Sequence, residues 1–156
     1  MFIDDNEDND ICYTMKIAWY GDLLKKIVIL SLTESLFTHK QVLSIFIQVT
    51  RALHFVHANA NVAHRDIKPE NIVFEPNGEV RLIDFGVAKV MRKIDEIEFT
   101  TGIKGTLPYM APELVTKQLR DKTAIDLKAS DMWALGVTIY YTLVFKLPIG
   151  KVGTET

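Results

Sequence analysis

His64-Arg65-Asp66-Ile67-Lys68-Pro69-Glu70-Asn71, followed thirteen residues later by Asp84-Phe85-Gly86, is the stretch of this chain that decides its fold and its chemistry. It sets a carboxylate at Asp66, a cation at Lys68 and a carboxamide at Asn71, with a second carboxylate at Asp84. Moving a phosphoryl group is mainly positioning plus neutralisation of charge. Asp66 is suited to orient a hydroxyl and take its proton, Lys68 to steady the moving phosphate, and Asn71 and Asp84 to hold Mg²⁺. The residues between them explain how two distant metal ligands could meet. Ile72-Val73-Phe74 and Val80-Arg81-Leu82-Ile83 read as short strands joined through Pro76-Asn77-Gly78, and Asn-Gly between two apolar runs signals a hairpin. That hairpin predicts Asn71 and Asp84 at one edge.

Working outward, Val42, Ile45, Phe46, Val49, Ala52, Leu53 and Val56 recur at spacings of three and four between Thr38 and His57. One amphipathic helix packed on a core is expected there, leading directly into the His64 loop. Gly21-Asp22 opens a shorter helix from Leu23 to about Leu30, and residues 11–18 are rich in β-branched and aromatic types and read as a strand. A polar stretch follows Asp84 as far as Lys104. Gly105-Thr106-Leu107-Pro108-Tyr109-Met110-Ala111-Pro112-Glu113 comes next, and Asp131-Met132-Trp133 then starts a final helix that is apolar almost all round. A helix of that kind belongs inside a larger helical domain, so the core is expected to be incomplete. His39, His54 and His57 have no site-like neighbours in sequence and are assigned no role.

The 156 residues, 48% hydrophobic and 24% charged, have the composition of one globular domain. A net charge of −2 argues against nucleic acid or an anionic membrane as main partner. The acidic cluster Asp4, Asp5, Glu7, Asp8 and Asp10 reads as a solvated loop or tail. The lone Cys12 excludes an internal disulfide and fits a reducing compartment. The acidic start does not resemble a signal peptide, and the apolar run from Met132 to Phe145 is short for a membrane span of ~20 residues. A soluble, intracellular and cytoplasmic protein is expected.

Four elements occur together and in order: the loop at 64–71, Asp84-Phe85-Gly86, Ala111-Pro112-Glu113, and Asp131-x-Trp133-x-x-Gly136. Together they resemble the eukaryotic protein kinase family, and the resemblance covers essentially residues 2–148. Lys68 after Asp66 is similar to the serine/threonine branch. The resemblance implies a truncated, kinase-like α+β fold across 1–156. Residues 1–18 would be an N-lobe remnant and hinge, and 19–156 the mainly helical first half of a C-lobe. It implies ATP and Mg²⁺ as cofactors, a protein substrate bearing Ser or Thr, and an upstream regulator. Asp66 matches the catalytic aspartate, Lys68 the phosphate-contacting lysine, and Asn71 and Asp84 the metal ligands. His64 and Phe85 match structural spine positions. Arg65 matches the arginine that reads a phosphorylated activation loop, and Asp131 the buried aspartate that binds the catalytic-loop backbone. Met15 takes the gatekeeper place. Lys16 and Ala18 would then bind adenine through their backbones, Asp22 would reach the ribose, Val73 would pack under the base, and Glu70 counts among the nucleotide-facing positions.

A narrower similarity, carried by Ile3 to Asp8 and by Trp133 to Tyr140, is to the calcium/calmodulin-dependent kinase kinases and related upstream kinases. Against the family pattern, no Gly-x-Gly-x-x-Gly occurs in the sequence. The strand lysine and its glutamate partner are not found either, and the arginine that usually pairs with Glu113 has no counterpart. Gly102 stands at the usual activation-phosphate position, with Thr100 and Thr101 nearby. The chain alone is therefore expected to have little or no transferase activity. The alternative reading is a truncated, inactive kinase-like protein that acts as a binding or regulatory module. A small-molecule phosphotransferase is a third possibility, less compatible with Lys68, Ala-Pro-Glu and Asp131-x-Trp133 together.

Overall fold

A computed structural model of the chain describes residues 20–91, 104–116 and 125–149. The expected strand at 11–18, the hinge, the acidic cluster, Cys12 and the Thr100–Gly102 segment lie outside the described residues.

The first helix, α1 (Leu23–Leu32), begins where Gly21-Asp22 predicts, because the Asp22 carboxylate accepts the Lys25 backbone N–H at 2.8 Å. Its Leu23 and Ile27 turn inward and are fully buried. The long helix α2 (His39–Ala58) opens on a reciprocal capping box: Thr38 Oγ1 accepts the Gln41 N–H at 3.2 Å, and Gln41 Oε1 accepts the Thr38 N–H at 2.8 Å. This satisfies two otherwise orphaned donors at the helix start. Thr38→Ala should therefore cost about 0.5–2 kcal/mol of stability, read as a lower urea midpoint with an unchanged slope. The predicted stripe is the buried one, with Val42, Ile45, Phe46, Val49 and Leu53 all in the main core and Val56 packed at its margin.

Two small antiparallel sheets flank the catalytic stretch. Strands β2 (Ile72–Phe74) and β3 (Val80–Leu82) pair Ile72 with Leu82 and Phe74 with Val80. Their turn has Gly78 N donating to Glu75 O at 3.0 Å, with Gly78 at φ +82°. Pro76 and Asn77 stay at negative φ, so the left-handed turn residue is glycine alone. Gln48 of α2 accepts the Val80 N–H at 2.9 Å and ties the hairpin to the helix. The second sheet was not expected: β1 (Val62–Ala63) pairs with β4 (Lys89–Val90), each only two residues long.

The last helix corrects one expectation. It starts at Leu127 rather than Asp131, as α4 (Leu127–Val144), because Asp126 is its cap and accepts the Ala129 N–H at 2.9 Å. Asp131 thus sits inside the helix and its carboxylate is free for tertiary contacts. Thr138 and Thr142, which interrupt the apolar run, are buried and return their hydroxyls to the carbonyls of Ala134 and Thr138, each at 2.8 Å. Met132, Trp133, Tyr140, Leu143 and Val144 stand exposed on α4, in line with a helix expected to be apolar all round. The short helix α3 (Pro112–Thr116) lies between the catalytic loop's neighbour Tyr109 and α4 in sequence. Among the described residues no helix is long and apolar enough to cross a membrane.

Candidate active site

The loop at 64–71 is held from behind by α4. Asp131, 1% exposed, accepts the His64 N–H through Oδ2 at 2.8 Å and the Arg65 N–H through Oδ1 at 2.7 Å. Arg65 adopts a left-handed φ of +72°, which a side-chain-bearing residue tolerates only when its surroundings fix it. Asp131 supplies that fixation, as the family resemblance implied. Its Oδ2 also meets His57 Nε2 at 2.7 Å, so a histidine assigned no role from sequence is part of the clamp.

His64 itself is fully buried. Its Nδ1 accepts the Asp66 N–H at 3.3 Å, which leaves Nε2 to donate to Ile83 O at 3.0 Å. Burial, the largest influence, holds its pKa below the usual histidine value despite the Ile83 carbonyl and the nearby carboxylates. A neutral ring with both nitrogens engaged is a structural link between loop and hairpin. It packs edge to face on Phe85, with centroids 4.6 Å apart.

The reactive groups converge in front of this clamp. Lys68 Nζ pairs with Asp66 Oδ2 at 2.7 Å and donates to Thr106 Oγ1 at 2.8 Å. Thr106 in turn donates to Asp66 Oδ1 at 2.7 Å. Asn71 Nδ2 donates to the Asp66 carbonyl at 2.8 Å and to its Oδ2 at 3.2 Å. Burial pushes the Asp66 carboxyl up. The bonds from Lys68 and Thr106, the Lys68 charge and the Asn71 bond outweigh it, and the pKa lies below the usual aspartate value. Asp66 is therefore an ionised acceptor held in one orientation. A depressed pKa means that these contacts stabilise the fold above the ordinary value of 3.8 and that the contribution is lost as pH falls through the folded-state value. Thr106→Val, which deletes one donor, should move the Asp66 pKa upward, read by carboxyl ¹³C titration. An unmoved pKa would show that Thr106 does not tune the Asp66 carboxyl.

Thr106 was not singled out from the sequence, although the Gly105–Glu113 run that contains it was. Asn71 is 5% exposed and its amide nitrogen is fully committed, so its oxygen remains as the end able to meet a cation. Ile83 N donates to Asn71 O at 2.9 Å, and Asp84 follows one residue later, exposed and at φ +63°. One Asp84 oxygen takes the Gly86 N–H at 3.2 Å. The remaining donor set is hard oxygen, which suits Mg²⁺.

The other predicted residues are placed less directly. Asp22 and Val73 form an isolated antiparallel bridge, so the suggested ribose and base positions adjoin. The Asp22 carboxylate is occupied in capping α1. Glu70 does not join the Asp66 cluster: its Oε2 is buried and, among the described residues, has no hydrogen-bond partner. Burial, followed by the Glu70 charge, raises the Tyr109 hydroxyl pKa well above the usual phenol value. Lys16 and Ala18 lie outside the described residues.

Comparison with known proteins agrees with this geometry. Residues 2–156 match the protein kinase domain family. The chain is 34% identical over 136 residues to calcium-dependent protein kinase 6 of Plasmodium berghei, covering 86% of this chain and 8% of that protein. It is 40% identical over 109 residues to the serine/threonine-protein kinase TIO of Arabidopsis thaliana, covering 70% of this chain and 8% of that protein. With the human 3-phosphoinositide-dependent protein kinase 1 it shares 33% identity over 149 residues, 96% of this chain and 25% of that protein. The chain thus spans a quarter or less of each of these three relatives. It belongs to the protein kinase domain family.

Proposed function

We propose that this chain carries the catalytic-loop side of a serine/threonine protein kinase site that uses Mg-ATP. The observation that carries the reading is the closed set Asp66–Lys68–Thr106, with Asn71 bonded to the same carboxylate. Asp66, ionised and fixed, accepts the proton of a substrate Ser or Thr hydroxyl as its oxygen bonds to the γ-phosphorus; the bond to the leaving ADP oxygen breaks. Lys68, paired with Asp66 at 2.7 Å, would contact the transferring phosphate. Asn71 and Asp84 would hold Mg²⁺, which supplies charge neutralisation on the β- and γ-phosphates when bound. Asp22 and Val73 would line the ribose and base, with the backbones of Lys16 and Ala18 at the adenine edge. Arg65 would read a phosphate placed on the segment after Asp84 by an upstream kinase. Residues 1–18 serve as hinge and N-lobe remnant, and 19–156 as C-lobe portion. The protein kinase relatives and Lys68 support serine/threonine acceptors, the net charge of −2 supports a partner that is not nucleic acid, and the lone Cys12 fits a reducing, intracellular compartment.

The test is transfer of radiolabel from γ-labelled ATP to a Ser/Thr protein substrate, with Mg²⁺-dependent nucleotide binding measured in parallel. Asp66→Asn should lower transfer by about 10²–10⁴-fold and leave nucleotide binding intact. Transfer that survives Asp66→Asn overturns the base assignment. Mg²⁺-dependent binding with no transfer by the unaltered chain favours the second reading, a catalytically inactive kinase-like protein that acts as a binding or regulatory module.

A further inference from the structure

A second concavity, of about 370 Å³, lies between α1, the start of α2 and the β2–β3 hairpin. It shares no residue with the Asp66 cluster. Leu30, Phe37, Ile45 and Val80 give it aliphatic and aromatic walls, and its volume is that of a small-molecule site. Its polar groups are biased toward donation. Lys26 Nζ sits 3.6 Å from the centre of the Phe74 ring, and among the described residues no carboxylate pairs with it. Gln41 has its amide oxygen already engaged by the Thr38 N–H and hydroxyl, at 2.8 and 2.9 Å, so its nitrogen is the unengaged end. Ser44 adds a hydroxyl to the lining.

We propose that this cavity binds a small amphiphile with an apolar acyl or aryl body and a carboxylate head, the head resting on Lys26. The walls remove the body from water, while a carboxylate gains a charge-assisted bond from an ammonium that lies against an aromatic face. Lys25, next to Lys26 in sequence, already lies 3.6 Å from the Asp22 carboxylate. Arg81 engages the hairpin carboxylates Glu75 and Glu79, at 3.2 and 3.1 Å. A cationic amphiphile would place its charge against Lys26, and a neutral one would leave the ammonium unpaired.

The experiment is titration of the 156-residue chain with decanoate, decanol and decyltrimethylammonium, followed by amide chemical shifts and calorimetry. Decanoate should bind saturably and about tenfold more tightly than decanol, the discrimination that one charge-assisted bond gives. Lys26→Met, which keeps the side-chain stem, should erase that preference. Leu30→Trp, which fills the cavity, should abolish binding of both. Circular dichroism checks that each variant is folded; should Leu30→Trp fail that check, the decanoate-to-decanol ratio of the unaltered chain and of Lys26→Met still decides. Absence of saturable decanoate binding, equal binding of decanoate and decanol, or a preference unchanged in Lys26→Met would overturn the proposal.

Discussion

Replacing Asp131 by alanine is expected to cost this fold about 3–5 kcal/mol, the loss typical when one member of a buried, hydrogen-bonded charge cluster is removed. Three donors or potential donors depend on the carboxylate: the backbone N–H groups of His64 and Arg65 and the ring of His57. Alanine leaves both amides unsatisfied beside a side chain that is 1% exposed, with no solvent to replace the lost acceptor. Arg65 would also lose the bond that holds it at φ +72°, and that strain is tolerated only while neighbours over-determine it. Domains of this size have a stability of ~5–15 kcal/mol, so a large part of the total is at stake. Urea unfolding checks the value. Asp131→Asn, which keeps one acceptor oxygen but turns a donor toward one of the two amides, should fall between alanine and the unaltered chain. A loss below about 1 kcal/mol for Asp131→Ala would mean that the clamp is not what holds the loop.

The features legible in the sequence are those whose cause is local. The α2 stripe follows from spacing along one helix, the α1 start from Asp22 as cap, and the hairpin from Asn77-Gly78 between apolar triplets. The relation of Asn71 to Asp84 follows from hairpin register, and the bond from Ile83 N to Asn71 O shows that register. The features that escaped depend on residues far apart in the chain. Thr106 reaches Asp66 across forty positions and His57 reaches Asp131 across seventy-four, and neither pairing has a periodic or spacing signature. The contact of Asp131 with the loop backbone was legible only because four short motifs occur together in family order. The β1–β4 pair is two residues long on each side, below the length at which alternation can be read. The final helix starts four residues before the expected Asp131, because Asp126 caps it while Asp131 serves the loop.

The substitution Gly105→Ala should be nearly as damaging, at about 3 kcal/mol or more, by combining two costs that can be separated. Gly105 has φ +119°, a conformation that side-chain-bearing residues rarely adopt, and a Cβ there would stand 2.4 Å from the Arg65 carbonyl oxygen. Asp131 holds the N–H of the same residue at 2.7 Å, which restrains that backbone. The alanine would have to push residues 105 and 106 away from the catalytic loop. Thr106, the next residue, would then lose its 2.7 Å bond to Asp66 and its 2.8 Å bond from Lys68. Gly78→Ala is the internal control. Gly78 also has positive φ, at +82°, but a Cβ there meets nothing within 4 Å, so it should cost only the conformational part, about 1 kcal/mol. The two variants should also differ in a second measurement: Gly105→Ala should raise the Asp66 pKa as Thr106→Val does, and Gly78→Ala should leave it unchanged. Equal losses for the two glycines, with Asp66 unmoved in both, would mean that backbone conformation alone matters at 105. With unequal losses and a raised Asp66 pKa in Gly105→Ala alone, the close approach of Gly105 to Arg65 is what seats Thr106 on the Asp66 carboxylate.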